Sequence, residues 1–294
     1  MLNVELRQMN YHISKQPILE NINLNLEPGK IYGLLGRNGA GKTMLLSLIA
    51  SYRKISGGEL TIGGQDPYEN EDIMPQVNLF HHASYEGEND RIRKYLEFRK
   101  RYYPSFDMEY ALTLLAEYKL NLDKTMAELS QGQSAVVEAV MGLATMAPIV
   151  LFDEVTNGMD APSREKFYQH ILDAKNKSER IIVLSTHIVS EMDYLFDEIV
   201  IIHHGKVLVN ASTDEFLESG YEVTGSIEAV NSYTQDKKVL HTRTLGPTKA
   251  TSVLGHISES DQELLETLNV TYAPVKLQDL FINMTEDETD GESE

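Results

Sequence analysis

The stretch GRNGAGKT at residues 36–43 limits the fold of this chain more than any other, because it makes sense only between two particular elements. It follows KIYGLLG (30–36), a nearly continuous apolar run suited to a strand buried on both faces of a sheet. It precedes KTMLLSLIASY, where Leu45, Leu46, Leu48 and Ile49 fall at helical spacing. Strand, glycine-rich turn and helix together form the setting in which backbone N–H groups and a helix N-terminus converge on phosphate oxygens. Gly36, Asn38, Gly39, Ala40, Gly41, Lys42, Thr43 and Met44 are therefore expected to wrap the phosphates of a nucleotide. Lys42 would neutralise the β- and γ-phosphates, and Thr43 would offer an oxygen to Mg2+.

A second apolar run, IVLFDE (149–154), delivers two carboxylates at the end of a strand, where open α/β sheets place their sites. Asp153 is expected to serve Mg2+, and Glu154 to orient a water for attack on the γ-phosphate. The next strand ends in STH (185–187), which sets His187 near the same edge and within reach of that phosphate. The doubled histidines His81/His82 and His203/His204 invite a metal reading, but the second pair falls in a hairpin turn with no acidic or cysteine companion at ligand spacing.

Strands and helices alternate along most of the chain. Residues 2–9 and 18–26 alternate apolar with polar, residues 89–146 read as helical segments broken near YYPSFD and NLD, and strands recur at 148–152 and 180–185. A helix starts near Pro162, a short one covers 189–196, and EIVIIHHGKVLVN forms a hairpin turning near Gly205. This pattern predicts an α/β domain with a parallel sheet over 1–219, interrupted by a helical subdomain at about 84–134. Residues 221–283 then read strand, helix, strand, strand, helix, strand, helix, which predicts a small accessory α+β domain of ferredoxin-like order over 220–284. Residues 285–294 read as an acidic tail.

Composition narrows the partners. A formal charge of −19 repels polyphosphate backbones, so no nucleic-acid partner is expected. The chain has no cysteine, which excludes thiol chemistry and suits a reducing cytoplasm. The N-terminal LNVELRQM alternates rather than running apolar behind positive charge, and no stretch is apolar for long enough to span a bilayer. Any membrane role would need a second protein.

One short stretch, LSQGQ (129–133), offers neither a nucleophile nor a metal ligand, and opens the helix SAVVEAVMGLATM. Ser130 and the N–H groups after Gly132 make it an anion-binding helix start, or simply a capped one. Taken with the other motifs, it carries a family resemblance. Over residues 1 to about 218 the chain resembles an ATP-binding cassette (ABC) ATPase, the nucleotide-binding subunit of an ABC transporter. GRNGAGKT is similar to the family's Walker A, LSQGQ to its signature, IVLFDE to its Walker B with catalytic glutamate, NGMD (157–160) to its D-loop, and STH to its switch histidine.

The resemblance implies a P-loop NTPase fold, ATP and Mg2+ as ligands, and hydrolysis of ATP to ADP and phosphate. It also implies a second ATPase subunit, identical or paralogous, packed head to tail, so that Ser130, Gly132, Gln133 and Asp160 act on the ATP held by the other chain. The adenine-stacking position aligns on Ile13, with Tyr11 expected on the same strand face. The Q-loop position aligns near His82, and Gln76 lies too early for it. A single cassette with a C-terminal extension most resembles bacterial exporters of peptides or envelope-active compounds, with a separate permease holding the ATPase at the inner face of the membrane. The basic run RIRKYLEFRKR (91–101) is expected to face that permease or the membrane surface. Two alternatives stay open: a regulatory ATP-binding protein with little turnover, and a soluble ABC ATPase outside transport.

Overall fold

The computed structural model describes residues 2–81, 85, 87–103, 105–187, 192 and 194–286. The chain divides into two compact units, Met1–His187 with Tyr194–Asn210, and Ile188–Asp193 with Ala211–Glu294.

In the first unit, β1 (Val4–Ile13) and β2 (Gln16–Leu26) pair antiparallel. The NINLNL segment alternates without fault: Ile22, Leu24 and Leu26 are buried, while Asn21, Asn23 and Asn25 are exposed. Next come β3 (Ile31–Leu35), α1 (Lys42–Ile49) and β4 (Gly57–Ile62), the last pairing with the free side of β1. β5 (Val77–His81) leads into three helices, α2 (Ile92–Tyr102), α3 (Met108–Glu117) and α4 (Gln131–Ala144). They are followed by β6 (Ile149–Asp153), α5 (Ala161–Lys177), β7 (Ile181–Thr186), β8 (Glu198–His203) and β9 (Lys206–Ser212).

The main sheet has the order β5-β6-β7-β3-β8-β9, and its first five strands run parallel. Every residue of β3, β6 and β7 is buried, as a sheet covered on both faces requires. Because neighbouring strands run the same way, their C-terminal ends share one edge. Leu35 lies opposite Thr186, Asp153 opposite Ser185, and His81 opposite Asp153. β4 and β5 are short strands that the alternation reading passes over.

The second unit contains α6 (Thr213–Glu218), β10 (Gly220–Ser226), α7 (Ile227–Thr234), β11 (Lys238–Leu245), β12 (Thr248–Leu254), α8 (Glu259–Thr267), β13 (Thr271–Pro274) and α9 (Leu277–Thr285). Its antiparallel sheet has the order β11-β12-β10-β13, over a core of Tyr221, Val223, Val230, Tyr233, Val253, Leu265 and Val270. From β10 onward the elements run strand, helix, strand, strand, helix, strand, helix.

Candidate nucleotide site

The turn between β3 and α1 lines a cleft of about 530 Å3, together with the ends of β5 and β6. Asn38, Gly39, Ala40, Gly41, Lys42, Thr43 and Met44 form one wall, and His81, Asp153, Glu154 and Asn157 form the other. Gly41 occupies the N-cap of α1 with φ of 113°, a conformation that side chains rarely adopt. No side chain caps this helix. Its first N–H groups are thus left to whatever enters the cleft, which is how a helix start receives an anion. Lys42 is only 5% exposed; its Nζ donates to Gly36 O at 2.7 Å and Arg37 O at 3.4 Å. The loop therefore curls around its own ammonium group.

Asp153 and Glu154 have different surroundings. Asp153 is buried at the end of β6 and accepts a short hydrogen bond from the Ser185 hydroxyl on the neighbouring strand. Glu154 has a φ of 49°, which breaks the strand and releases its side chain into a polar group of three partners. Asn157 Nδ2 donates to Glu154 Oε2 at 2.8 Å, Lys42 Nζ lies 3.5 Å from Oε1, and His187 Nδ1 lies 3.3 Å from the same oxygen. Burial alone would raise the Glu154 pKa. The Asn157 hydrogen bond, the Lys42 charge and the His187 contacts outweigh it and hold the carboxyl below its ordinary value. Glu154 is thus a carboxylate at neutral pH. Thr43 and Asp153 contribute hard oxygen donors to the same cleft, the donor type that would suit Mg2+.

Several expected residues lie elsewhere. Ser130, Gly132 and Gln133 are not among the residues lining this cleft. Ser130 instead caps α4 in a reciprocal pair: Gln133 N donates to its hydroxyl at 3.3 Å, and Ser130 N donates to Gln133 Oε1 at 3.2 Å. Gly132 faces the D-loop of its own chain, where an added Cβ would sit 2.4 Å from Gly158 O. Asp160 caps α5 by accepting from Ser163 N at 3.0 Å.

The two candidate adenine positions differ in their surroundings. Tyr11 is 7% exposed, packed in the core, and accepts from Arg53 Nη1 at 3.2 Å, whereas Ile13 is 46% exposed. The two do not share a face, because register shifts in β1 on both sides of Tyr11 break the alternation on which that reading depends. Tyr11 therefore offers no free ring for stacking. The Q-loop position at His82 and residues 189–191 and 193 of the helix expected over 189–196 lie outside the described residues, and Met192, Tyr194, Leu195 and Phe196 are not helical. Gln76 precedes β5, at the end of the sheet away from the cleft, and donates to Asp72 O at 2.7 Å. His81, Asn157 and Ser185 complete the site, although the motifs single out none of them. Asn157 and Ser185 lie inside quoted motifs, and the strand register places His81 beside Asp153.

The glycine-rich turn, the two carboxylates with different partners and the histidine at one parallel-sheet edge stand on a mixed α/β fold that matches the P-loop NTPase fold of ABC ATPase nucleotide-binding domains. Residues 19–157 match the family model described as ABC transporter. Over 221 residues it is 28% identical to the ABC transporter ATP-binding protein YtrB of Bacillus subtilis (strain 168), an alignment covering 73% of this chain and 74% of that protein. The ABC transporter ATP-binding protein NatA of the same organism is 28% identical over 211 residues, 68% of this chain and 84% of its own. Among solved structures, one titled "Structure of ATP binding subunit of ABC transporter" superposes with a TM-score of 0.64. It is 24% identical and covers 72% of this chain and 91% of that one, a likeness of fold.

Proposed function

We propose that this chain hydrolyses ATP as the nucleotide-binding subunit of a membrane transporter whose permease is a separate protein. The observation that carries the reading is the convergence of Lys42, Asp153, Glu154 and His187 at one sheet edge. Lys42 and the N–H groups of α1 bind the β- and γ-phosphates, Asn157 and His187 orient Glu154, and the Glu154 carboxylate accepts a hydrogen bond from the attacking water. Thr43 and Asp153 hold Mg2+, which when bound draws charge from the phosphate oxygens. Ser130, Gly132, Gln133 and Asp160 complete the site of a second copy or paralogue, so that ATP is shared between two chains. Among the described residues no helix is long and apolar enough to cross a membrane, which fits a permease on another chain and a peripheral place on the inner face.

The permease-facing surface in this reading is α2. It exposes Arg93, Phe98, Lys100, Arg101 and Tyr102, while Tyr95 and Leu96 turn inward. The direction we favour is export of peptides or envelope-active compounds, after the single cassette with its appended unit. The test is Mg-ATP calorimetry with phosphate release, on wild type and Glu154→Gln. Tight binding with turnover that Glu154→Gln abolishes is the expected result. Binding without turnover in the wild type would make the chain a regulatory ATP-binding module, and no binding would overturn the nucleotide reading.

A further inference from the structure

The second unit has an open cavity of its own, of about 480 Å3, between α6, the loop entering α8 and the edge strand β13. That is the size of a small-molecule site. One wall is apolar and is formed by Tyr221 of β10, Ile257, and Tyr272 and Pro274 of β13. The register sets Tyr221 opposite Pro274 and Val223 opposite Tyr272, so the two tyrosines stand on one face of the sheet. Tyr221 is buried, with its hydroxyl 2.9 Å from that of Tyr233, which fixes its ring; Tyr272 leaves half of its surface to solvent.

The other wall is acidic. Asp214 and Glu218 are four residues apart on α6 and share one of its faces. Other carboxylates of this unit are matched: Glu222 by Arg243 at 2.9 Å, Asp261 by Lys237, and Glu215 by the Ser212 N–H at 3.1 Å. Among the described residues the side chains of Asp214 and Glu218 take part in no hydrogen bond or ion pair, and neither lysine nor arginine lines the cavity. Like charges one helical turn apart repel, a cost that a bound cation removes. No group of three histidine or carboxylate side chains among the described residues could hold a metal ion, so the cation that fits is organic.

We propose that this cavity binds an organic ammonium ion with an apolar body, its charge beside Asp214 and Glu218 and its body against Ile257, Tyr272 and Pro274. Two carboxylates and the face of the Tyr272 ring attract the charge, and the body covers apolar surface that water otherwise meets. Nothing in this site depends on the nucleotide cleft or on ATP turnover.

Amide NMR titration of the full chain with 2-phenylethylammonium chloride tests it, with 2-phenylethanol and phenylacetate as neutral and anionic counterparts of similar shape. A probe of about ten non-hydrogen atoms should bind with a Kd of about 1 mM, shifting the Leu217, Ile257 and Tyr272 amides saturably. The alcohol should bind about tenfold more weakly, and phenylacetate should leave these amides unmoved. Asp214→Asn/Glu218→Gln, which keeps both shapes on an exposed helix face, should weaken the ammonium ion about fivefold to tenfold and leave the alcohol unchanged. Its melting temperature should be no lower than that of the wild type, since a like-charge pair is removed. Tyr272→Ala should weaken the ammonium ion about threefold or more, whereas Tyr272→Phe, which keeps the ring face, should bind it as the wild type does. Equal binding of the ammonium ion and the alcohol, or undiminished ammonium binding by Asp214→Asn/Glu218→Gln, would overturn the charge selection and the proposal with it. Absence of saturable shifts at these amides would overturn the site outright and leave Asp214 and Glu218 as a solvated acidic face.

Discussion

Two helices in the first unit begin at glycine-containing motifs, and they treat their first N–H groups in opposite ways. α1 starts at Gly41 with no side chain capping it, and its mouth opens into the cleft that holds Lys42, Asp153 and Glu154. α4 starts at Ser130 with a reciprocal cap from Gln133, and its glycine is packed against Gly158 of the same chain. A helix start that lacks its own cap depends on a ligand; one that supplies its own is folded without it. The difference argues that α1 carries ligand binding within one chain, whereas α4 presents a finished surface for something brought to it.

The sharpest way to break that contrast is Lys42→Ala against Ser130→Arg. Removing the buried ammonium should weaken Mg-ATP binding by about 100-fold or more, near 3 kcal/mol, as expected for loss of a charge-assisted partner. Ser130→Arg should leave binding to the isolated chain unchanged, because Ser130 does not line the cleft. Mixing the two variants should restore turnover through the one composite site that carries neither lesion. Titration calorimetry and phosphate release read both effects, and impaired ATP binding by monomeric Ser130→Arg would end the contrast.

A somewhat smaller effect separates binding from chemistry within the α1 cleft. Glu154→Gln should lower kcat by about 100-fold or more, since it removes the carboxylate that orients water. It should also tighten Mg-ATP by about threefold to tenfold, because a negative oxygen 3.5 Å from Lys42 competes with phosphate for the same charge. Size-exclusion chromatography with Mg-ATP should then show an accumulated dimer. Weaker ATP binding by this variant would mean that Glu154 supports the loop rather than opposing the ligand.

Gly132→Ala sharpens the other side. The new Cβ would meet a backbone oxygen at 2.4 Å, so α4 or the D-loop must shift, at a cost of about 1–3 kcal/mol. Lower thermal stability is expected with Mg-ATP affinity intact, and a melting temperature equal to the wild type would show that the contact yields freely. Failure of this variant to dimerise would not by itself report on a phosphate of the partner chain. Gly132 already serves its own fold.

The contrast also explains what the sequence made legible. Strand-turn-helix order, the two carboxylates at the end of β6 and the βαββαβα run of the second unit follow from spacing along the chain, and spacing survives folding. Tyr11 is buried while Ile13 is exposed because β1 shifts register on both sides of Tyr11, which no local pattern announces. His81 enters the site only through its pairing with Asp153, a contact across 72 positions that exists once the sheet has formed. Asn157 and Ser185 sit inside quoted motifs, but Asn157 reaches Glu154 only through the turn Glu154 takes at positive φ, and Ser185 meets Asp153 only through the register of β6 and β7. Glu138 had a visible signal, a single acid in SAVVEAVMGLATM, but its burial against Tyr95 exists only once α2 and α4 have packed.

The smallest expected change in stability comes from Ser130→Ala, and it decides what LSQGQ is for. The alanine removes the acceptor for Gln133 N but keeps the backbone N–H that Gln133 Oε1 accepts from, so only half of the cap is lost. The expected cost is about 1 kcal/mol, or about 2–4 °C in melting temperature for a domain of this size. If Ser130 only caps α4, the ATPase rate at 25 °C should fall no further than the folded fraction does, and a chain several kcal/mol stable loses almost none of its folded population to so small a cost. If its hydroxyl also closes over the nucleotide of a partner chain, kcat should drop by about tenfold or more while Mg-ATP affinity of the monomer stays fixed. Thermal melts, monomer calorimetry and turnover on the same preparation separate the two. A rate that follows stability alone would leave α4 with a self-sufficient helix cap and would remove the trans role from this chain.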